Sequence, residues 1–305
     1  MRALAAYILR GPVQAILVTV ALALVSLIPV LGMVSVLSGA AVALVALRQS
    51  IRQAMVVMVG ASLIAGVFMY FILGTAAVAL VFTLLLWLPL LVLAMVLRNT
   101  GSWSMLLDAA AAIGALGVVA FYLAMGEPVL FWVTTLGQVL EVMSAQGGLT
   151  EIEMIQAQIP LIAEWMTGML AAALVLGLVL SMMLARWWQA LLFNPGGFMQ
   201  EFYGLRQSRV AALVVLVILA LGLVDLGQIS HMAGDIMITL VVVYSMVGLA
   251  LVHALVAKTG KHSAWLVGLY VLLFILPPQM MMALTSVGII DSWMNFRERF
   301  PAAKK

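Results

Sequence analysis

Asp225, Gln228, His231 and Asp235 are the residues whose types and spacing best suit chemistry in this chain. On one continuous helix, at about 100° per residue, they fall at about 0°, 300°, 240° and 280°, which is a single face. Gly227 and Gly234 weaken that continuity. If the chain turns between them, Asp225 and Asp235 sit near one another on adjacent antiparallel helices. An imidazole that titrates near neutrality beside carboxylates can relay protons or help bind a cation. The plainer alternative is a hydrated outer loop whose polar side chains avoid lipid. Asp108, one turn into another apolar run, is a further candidate of the same kind, with solvation or capping of a helix N-terminus as its ordinary explanation. One imidazole and two carboxylates show no recognised ligand spacing, so no metal is expected. His253 and His262 fall near the opposite face.

Several enzyme classes lack their residues. Lys258-Thr259-Gly260-Lys261-His262 has neither the upstream glycine nor the following hydroxyl of a phosphate-binding loop, so energy from ATP would need a partner. The chain has no cysteine, which removes disulfides, thiolate metal sites and a Cys nucleophile. Gly234-Asp235 matches two residues of the intramembrane aspartyl protease motif, and the rest of that motif is missing. The expectation is a non-enzymatic protein without cofactor. A net charge of +3, from 14 Lys+Arg against 11 Asp+Glu, is too small and too dispersed for nucleic acid.

The elements that must hold these residues follow from composition. Of 305 residues 66% are hydrophobic and 8% charged, with a mean hydropathy of +1.26. Soluble chains average about 45–50% apolar and about 25% charged, so lipid is the main solvent here. Apolar runs predict an all-α, polytopic transmembrane bundle of about nine spans with short interfacial helices, forming one integral membrane domain over 1–305. The predicted spans are 12–28, 30–47, 54–73, 75–97, 104–125, 166–185, 210–229, 236–257 and 264–286. Arg2 and Arg10 precede the first, which reads as an uncleaved span, and Pro29 with Gly32 divides it from the second.

Ten of the fourteen basic residues, among them Arg48, Arg98, Arg186, Arg206, Arg209, Lys258 and Lys261, then share one face, and the 126–165 connection on the other carries no Lys or Arg. That asymmetry predicts an inner-membrane protein with a cytoplasmic N-terminus. Nine spans leave Arg297, Arg299, Lys304 and Lys305 on the wrong side, unless Pro277-Pro278 breaks the last helix and returns the tail. Within 126–165, an outer helical hairpin is expected. Val129 to Met143 reads as too short and too polar to span, and Thr150-x-x-Glu153 as a capping box opening a second short helix near residue 151. On the cytoplasmic side, a 186–209 interfacial segment holds Arg186, Trp187, Trp188, Asn194, Arg206 and Arg209, an aromatic anchor or a site for lipid headgroups or a partner.

Pro29-Val30-Leu31-Gly32 with the small-residue-rich span to Arg48, and the run Arg186 to Phe198, resemble the YybS-like family of bacterial multi-span membrane proteins. That family is distantly similar to the substrate-binding S components of energy-coupling-factor transporters and to the rod-shape protein MreD. The resemblance implies a protein that binds or transports a small or lipid-like molecule beside separate ATPase subunits, or alternatively a membrane scaffold. It assigns no catalytic residue. Membrane lipids are the remaining expected partner.

Overall fold

A chain with almost no water around it can satisfy its backbone only by helix or closed barrel. The computed structural model describes residues 1–145 and 152–300, and among these every regular element is helical. In order they are α1 (Arg2–Ile8), α2 (Pro12–Val25), a 3₁₀ turn (Pro29–Val34), α3 (Ser35–Arg48), α4 (Ile51–Leu73), α5 (Ala77–Val81), a π-helical segment (Phe82–Trp87) and α6 (Leu88–Thr100). There follow α7 (Trp103–Met125), α8 (Pro128–Ala145), α9 (Ile152–Phe193), α10 (Gly197–Tyr203), α11 (Arg209–Leu223), α12 (Gln228–Lys258), α13 (Ala264–Ile275), α14 (Pro277–Met294) and α15 (Phe296–Arg299).

Seven helices among the described residues are long and apolar enough to cross a membrane: Pro29–Arg48, Ile51–Leu73, Ala77–Thr100, Trp103–Met125, Pro128–Ala145, Met154–Phe193 and Gln228–Lys258. Three of the expected spans are shorter than predicted. Helices α2, α11 and α13 have 14, 15 and 12 residues, so they reach only about 18–22 Å into a hydrocarbon layer of about 30 Å.

Two further boundaries differ for physical reasons. The predicted span 166–185 is the middle of a 42-residue helix, α9, with Pro160 inside it. At 1.5 Å per residue α9 is about 63 Å long and must leave the bilayer, where hydropathy no longer marks a helix. Helix α9 packs along α8. Helix α8 is 18 residues long and, despite Gln138 and Glu141, is among the helices long and apolar enough to cross a membrane, against the expectation of a helix too short and too polar to span. Thr150 and the side chain of Glu153 lie outside the described residues. The predicted span 264–286 is broken at Leu276 (φ −128°, ψ 60°), just before Pro277-Pro278, where proline disfavours helical backbone in the preceding residue.

That break decides where the tail goes. Lys258 Nζ donates to the Arg297 carbonyl at 2.6 Å. The end of α12 and the start of α15 therefore lie at one end of the bundle, α14 runs alongside α12 toward it, and the chain goes out through α13 and comes back through α14. Arg297 thus stands at the cation-lined end, and Lys304 and Lys305 lie outside the described residues.

Helix α3 is the axis of the amino-terminal half: Ser38 to Leu47 are all buried, as a helix apolar all round must be. Ser38 Oγ donates to the Thr19 carbonyl at 2.8 Å and accepts from Trp87 Nε1 at 3.3 Å. In the other half α12 and α14 cross backbone to backbone at Gly248 and Gly288. A Cβ on Gly288 would stand 2.6 Å from the Tyr244 carbonyl oxygen, whereas one on Gly268 of α13 would meet nothing within 4 Å. Gly288→Ala is therefore expected to destabilise by about 1–3 kcal/mol, and Gly268→Ala to be neutral or slightly stabilising. Thermal unfolding in detergent reads the difference, and equal midpoints would contradict the close crossing.

Candidate functional site

The predicted cluster is only partly assembled. Helix α12 starts at Gln228, so Gln228, His231 and Asp235 do share a stripe on it, facing the end of α7. Asp225 lies before the helix in the exposed turn from α11, where its Oδ1 accepts from the Gly227 amide at 3.3 Å. The expected neighbouring carboxylates Asp225 and Asp235 are not a pair. The turn keeps one in solvent and α12 carries the other inward. Asp108 is at the far end of α7, where its Oδ1 accepts from Gln207 Nε2 at 2.6 Å, and it takes no part in this cluster.

Asp235 is the buried member, 4% exposed. Its Oδ2 accepts from the Tyr122 hydroxyl at 2.7 Å and its Oδ1 from the Gly168 amide at 2.9 Å. Gly168 is required for this approach, because a Cβ there would stand 2.7 Å from Asp235 Oδ1 and 2.9 Å from its Cα. One turn deeper, buried Thr239 meets Gly114 of α7, where a Cβ would come within 2.5 Å of the Thr239 methyl. Small residues on α7 and α9 thus let α12 close in and hold the carboxylate between them.

Above Asp235 lies an open cleft of about 850 Å³ between α7, α8 and α12, lined by Tyr122, Glu127, Val133, Gln228 and His231. Tyr122 joins the two levels: its ring lines the cleft and its hydroxyl holds Asp235. Gln228 Nε2 donates to the Gly126 carbonyl and ties α12 to the α7–α8 turn. His231, exposed in the cleft, stands one turn before Asp235. On the other side of the α7–α9 contact is an apolar cavity of about 250 Å³, walled by Leu85, Gly117, Phe121, Leu174 and Leu178, beside the bond from Trp132 Nε1 to Thr167 Oγ1 at 2.8 Å. Thr167 faces that cavity and Gly168 faces Asp235, so adjacent residues serve the two spaces.

The polar character of this end is one-sided. No Lys or Arg occurs between Arg98 and Arg186, while Glu127, Glu141 and Glu164 stand on α8, α9 and the turn before them. Among the described residues no group of three or more His, Asp and Glu is placed to hold a metal ion.

The 186–209 segment is tied into the protein. Arg186 meets Glu201 in an ion pair at 2.5 Å and donates to Gln189 Oε1 at 2.6 Å, and Trp103 Nε1 donates to Glu201 at 3.0 Å. Trp188 is wholly buried, Trp187 is 37% exposed, and Asn194 and Arg209 are exposed on separate turns. Arg206 accepts on its carbonyl from Ser104 Oγ, and its Nη2 reaches the Asp291 carbonyl at 3.5 Å. Arg186 and Arg206 are thus part-exposed side chains already hydrogen-bonded within the chain, while Arg209 stands exposed at the start of α11.

Sequence reasoning missed Tyr122 and the Trp132–Thr167 pair, which read as ordinary interfacial aromatics and hydroxyls. It also missed Asp291, which is fully buried, accepts from the Phe296 amide at 2.8 Å and pairs with Arg297 at 2.5 Å. Arg297 in turn donates to the Tyr203 and Leu205 carbonyls at 2.9 and 2.7 Å. An acid followed six residues later by an arginine past a helix end was the available signal.

No known protein family, curated protein or solved structure matches this chain.

Glu201 has a pH signature. Burial raises its pKa, but the hydrogen bonds from Arg186 and Trp103 and the Arg186 charge outweigh burial and hold it below its ordinary value of 4.5. A depressed carboxylate contributes stability that is present above its unfolded value and disappears as pH falls through the folded one. Wild type is expected to lose midpoint more steeply than Glu201→Gln below about pH 4.5, by an amount under about 1 kcal/mol for this half-exposed pair. Parallel curves would remove the assignment.

Proposed function

We propose that this chain is the membrane-embedded, non-enzymatic component of a binding or transport system, taking a small or lipid-like molecule through the cleft above Asp235. The observation that carries the proposal is the carboxylate itself. An ionisable side chain set within a span costs several kcal/mol unless it is paired or hydrated, and such residues mark ligand or proton paths. Asp235 has no cationic partner among the described residues, only two donors, Tyr122 and Gly168, and the first of these opens on the cleft.

A ligand group that donates a hydrogen bond, or a proton delivered through His231, can compete with the Tyr122 hydroxyl for the carboxylate. The apolar cavity beside Thr167 offers room for a hydrocarbon portion. The positive-inside asymmetry supports an inner-membrane placement with the cleft facing outward and the cation-lined face in the cytoplasm. In the manner of a transporter S component, separate ATPase subunits would supply energy. The alternative, a scaffold like MreD acting through 186–209, has less support because Trp188 is buried and Arg186 and Arg206 already have partners within the chain.

Purified protein should be tested by thermal shift against a panel of polyprenols, long-chain amines and alcohols, and phospholipids. At least one compound is expected to raise the midpoint of wild type and of Asp225→Asn, while Asp235→Asn fails to respond and Tyr122→Phe responds weakly. A panel in which Asp235→Asn matches wild type throughout, or in which nothing stabilises wild type, contradicts the proposal.

A further inference from the structure

Helix α13 is poorly covered by the rest of the chain. Its twelve residues, Ala264–Ile275, are almost all apolar and none is buried. It stands off α12, leaving between them a crevice of about 690 Å³ whose walls are Leu255, Val256, Leu269 and Leu272 and whose mouth carries Lys261 and Trp265. The depth fits one leaflet: twelve residues rise about 18 Å, a little over half of a hydrocarbon core of about 30 Å. The crevice runs from Lys261 and Trp265 at the cation-lined face down to Val252 and Leu272.

The mouth is electropositive. Lys261 Nζ lies 5.1 Å from the centroid of the Trp265 ring. The ion pairs of the described residues are Arg186–Glu201 and Asp291–Arg297, so Lys261 is in neither, and Glu298 is not its partner. Lys258 is close by, joined to the Arg297 carbonyl. An apolar slot one leaflet deep, topped by a lysine that forms no ion pair among the described residues and by a tryptophan at headgroup level, has the chemistry of a phospholipid site. The charge there favours an anionic headgroup over a zwitterionic one.

We infer that the crevice between α12 and α13 seats an anionic phospholipid from the leaflet at the cation-lined face, its phosphate on Lys261 and one acyl chain between the helices. The site is separate from the cleft above Asp235 and lies at the opposite face.

Native mass spectrometry of the purified protein with phosphatidylglycerol and phosphatidylcholine of matched chains tests this. Wild type is expected to retain phosphatidylglycerol about fivefold better, the effect of one lysine at an anionic surface. Lys261→Glu, at an exposed position, should abolish that preference at an unchanged thermal midpoint. Gly268→Trp, which puts an indole into open space within the crevice, should reduce retention of both lipids, while Asp235→Asn keeps the wild-type pattern. Equal retention of the two lipids by wild type, or an undiminished preference in Lys261→Glu, overturns the inference.

Discussion

Hydrocarbon offers no hydrogen bonds, and the rest of this structure follows from that constraint. Each polar group carried into the bilayer must find its partner inside the chain or stay at a face. Asp235 illustrates the first outcome, held by the Tyr122 hydroxyl and the Gly168 amide. Asp291 finds a guanidinium and a backbone amide. Ser38, at the axis of the first half, bonds on both sides. These three arrangements are built differently: a carboxylate with only neutral donors, a carboxylate with a cation, and a neutral hydroxyl. Only the first lies directly beneath an open cleft, and that sets Asp235 apart from structural polar residues.

The same constraint sorts the two ends of the bundle. At one, Arg98 donates to the Ala46 carbonyl at 2.6 Å, Arg186 pairs with Glu201, and Arg297 binds the Tyr203 and Leu205 carbonyls. These cations are fastened to the ends of neighbouring helices, so the face that carries positive charge is also the braced one. At the other end the helices are joined by exposed turns, by the Gln228 bond to Gly126 and by a projecting α8–α9 hairpin without Lys or Arg. The open space and the buried carboxylate occur together at that less braced end.

Helical class and membrane residence were legible in the composition, and the Gln228-His231-Asp235 stripe in its spacing. The length of α9 was not, because a helix that leaves the bilayer loses the hydropathy that marks it. The role of Asp225 was not legible either, since a shift of a few residues in where α12 begins separates it from Asp235. Tyr122 was invisible because its partner is distant in sequence. A single donor hydroxyl at a helix end has no local pattern, and only the packing of α7 on α12 across Gly114 gives it one. The α13–α14 pair stood in between: Pro277-Pro278 announced a break, and the Lys258–Arg297 contact shows that the chain comes back to the end of α12 after it.

The central claim is that the cleft above Asp235 opens at the face opposite the cations. A cysteine-free chain allows this to be measured with single cysteines and a membrane-impermeant maleimide added to one side of sealed vesicles at a time. His231→Cys is expected to label from one side only, Lys261→Cys and Arg299→Cys only from the other. Labelling of His231→Cys and Lys261→Cys from the same side, or of Lys261→Cys and Arg299→Cys from opposite sides, would contradict it.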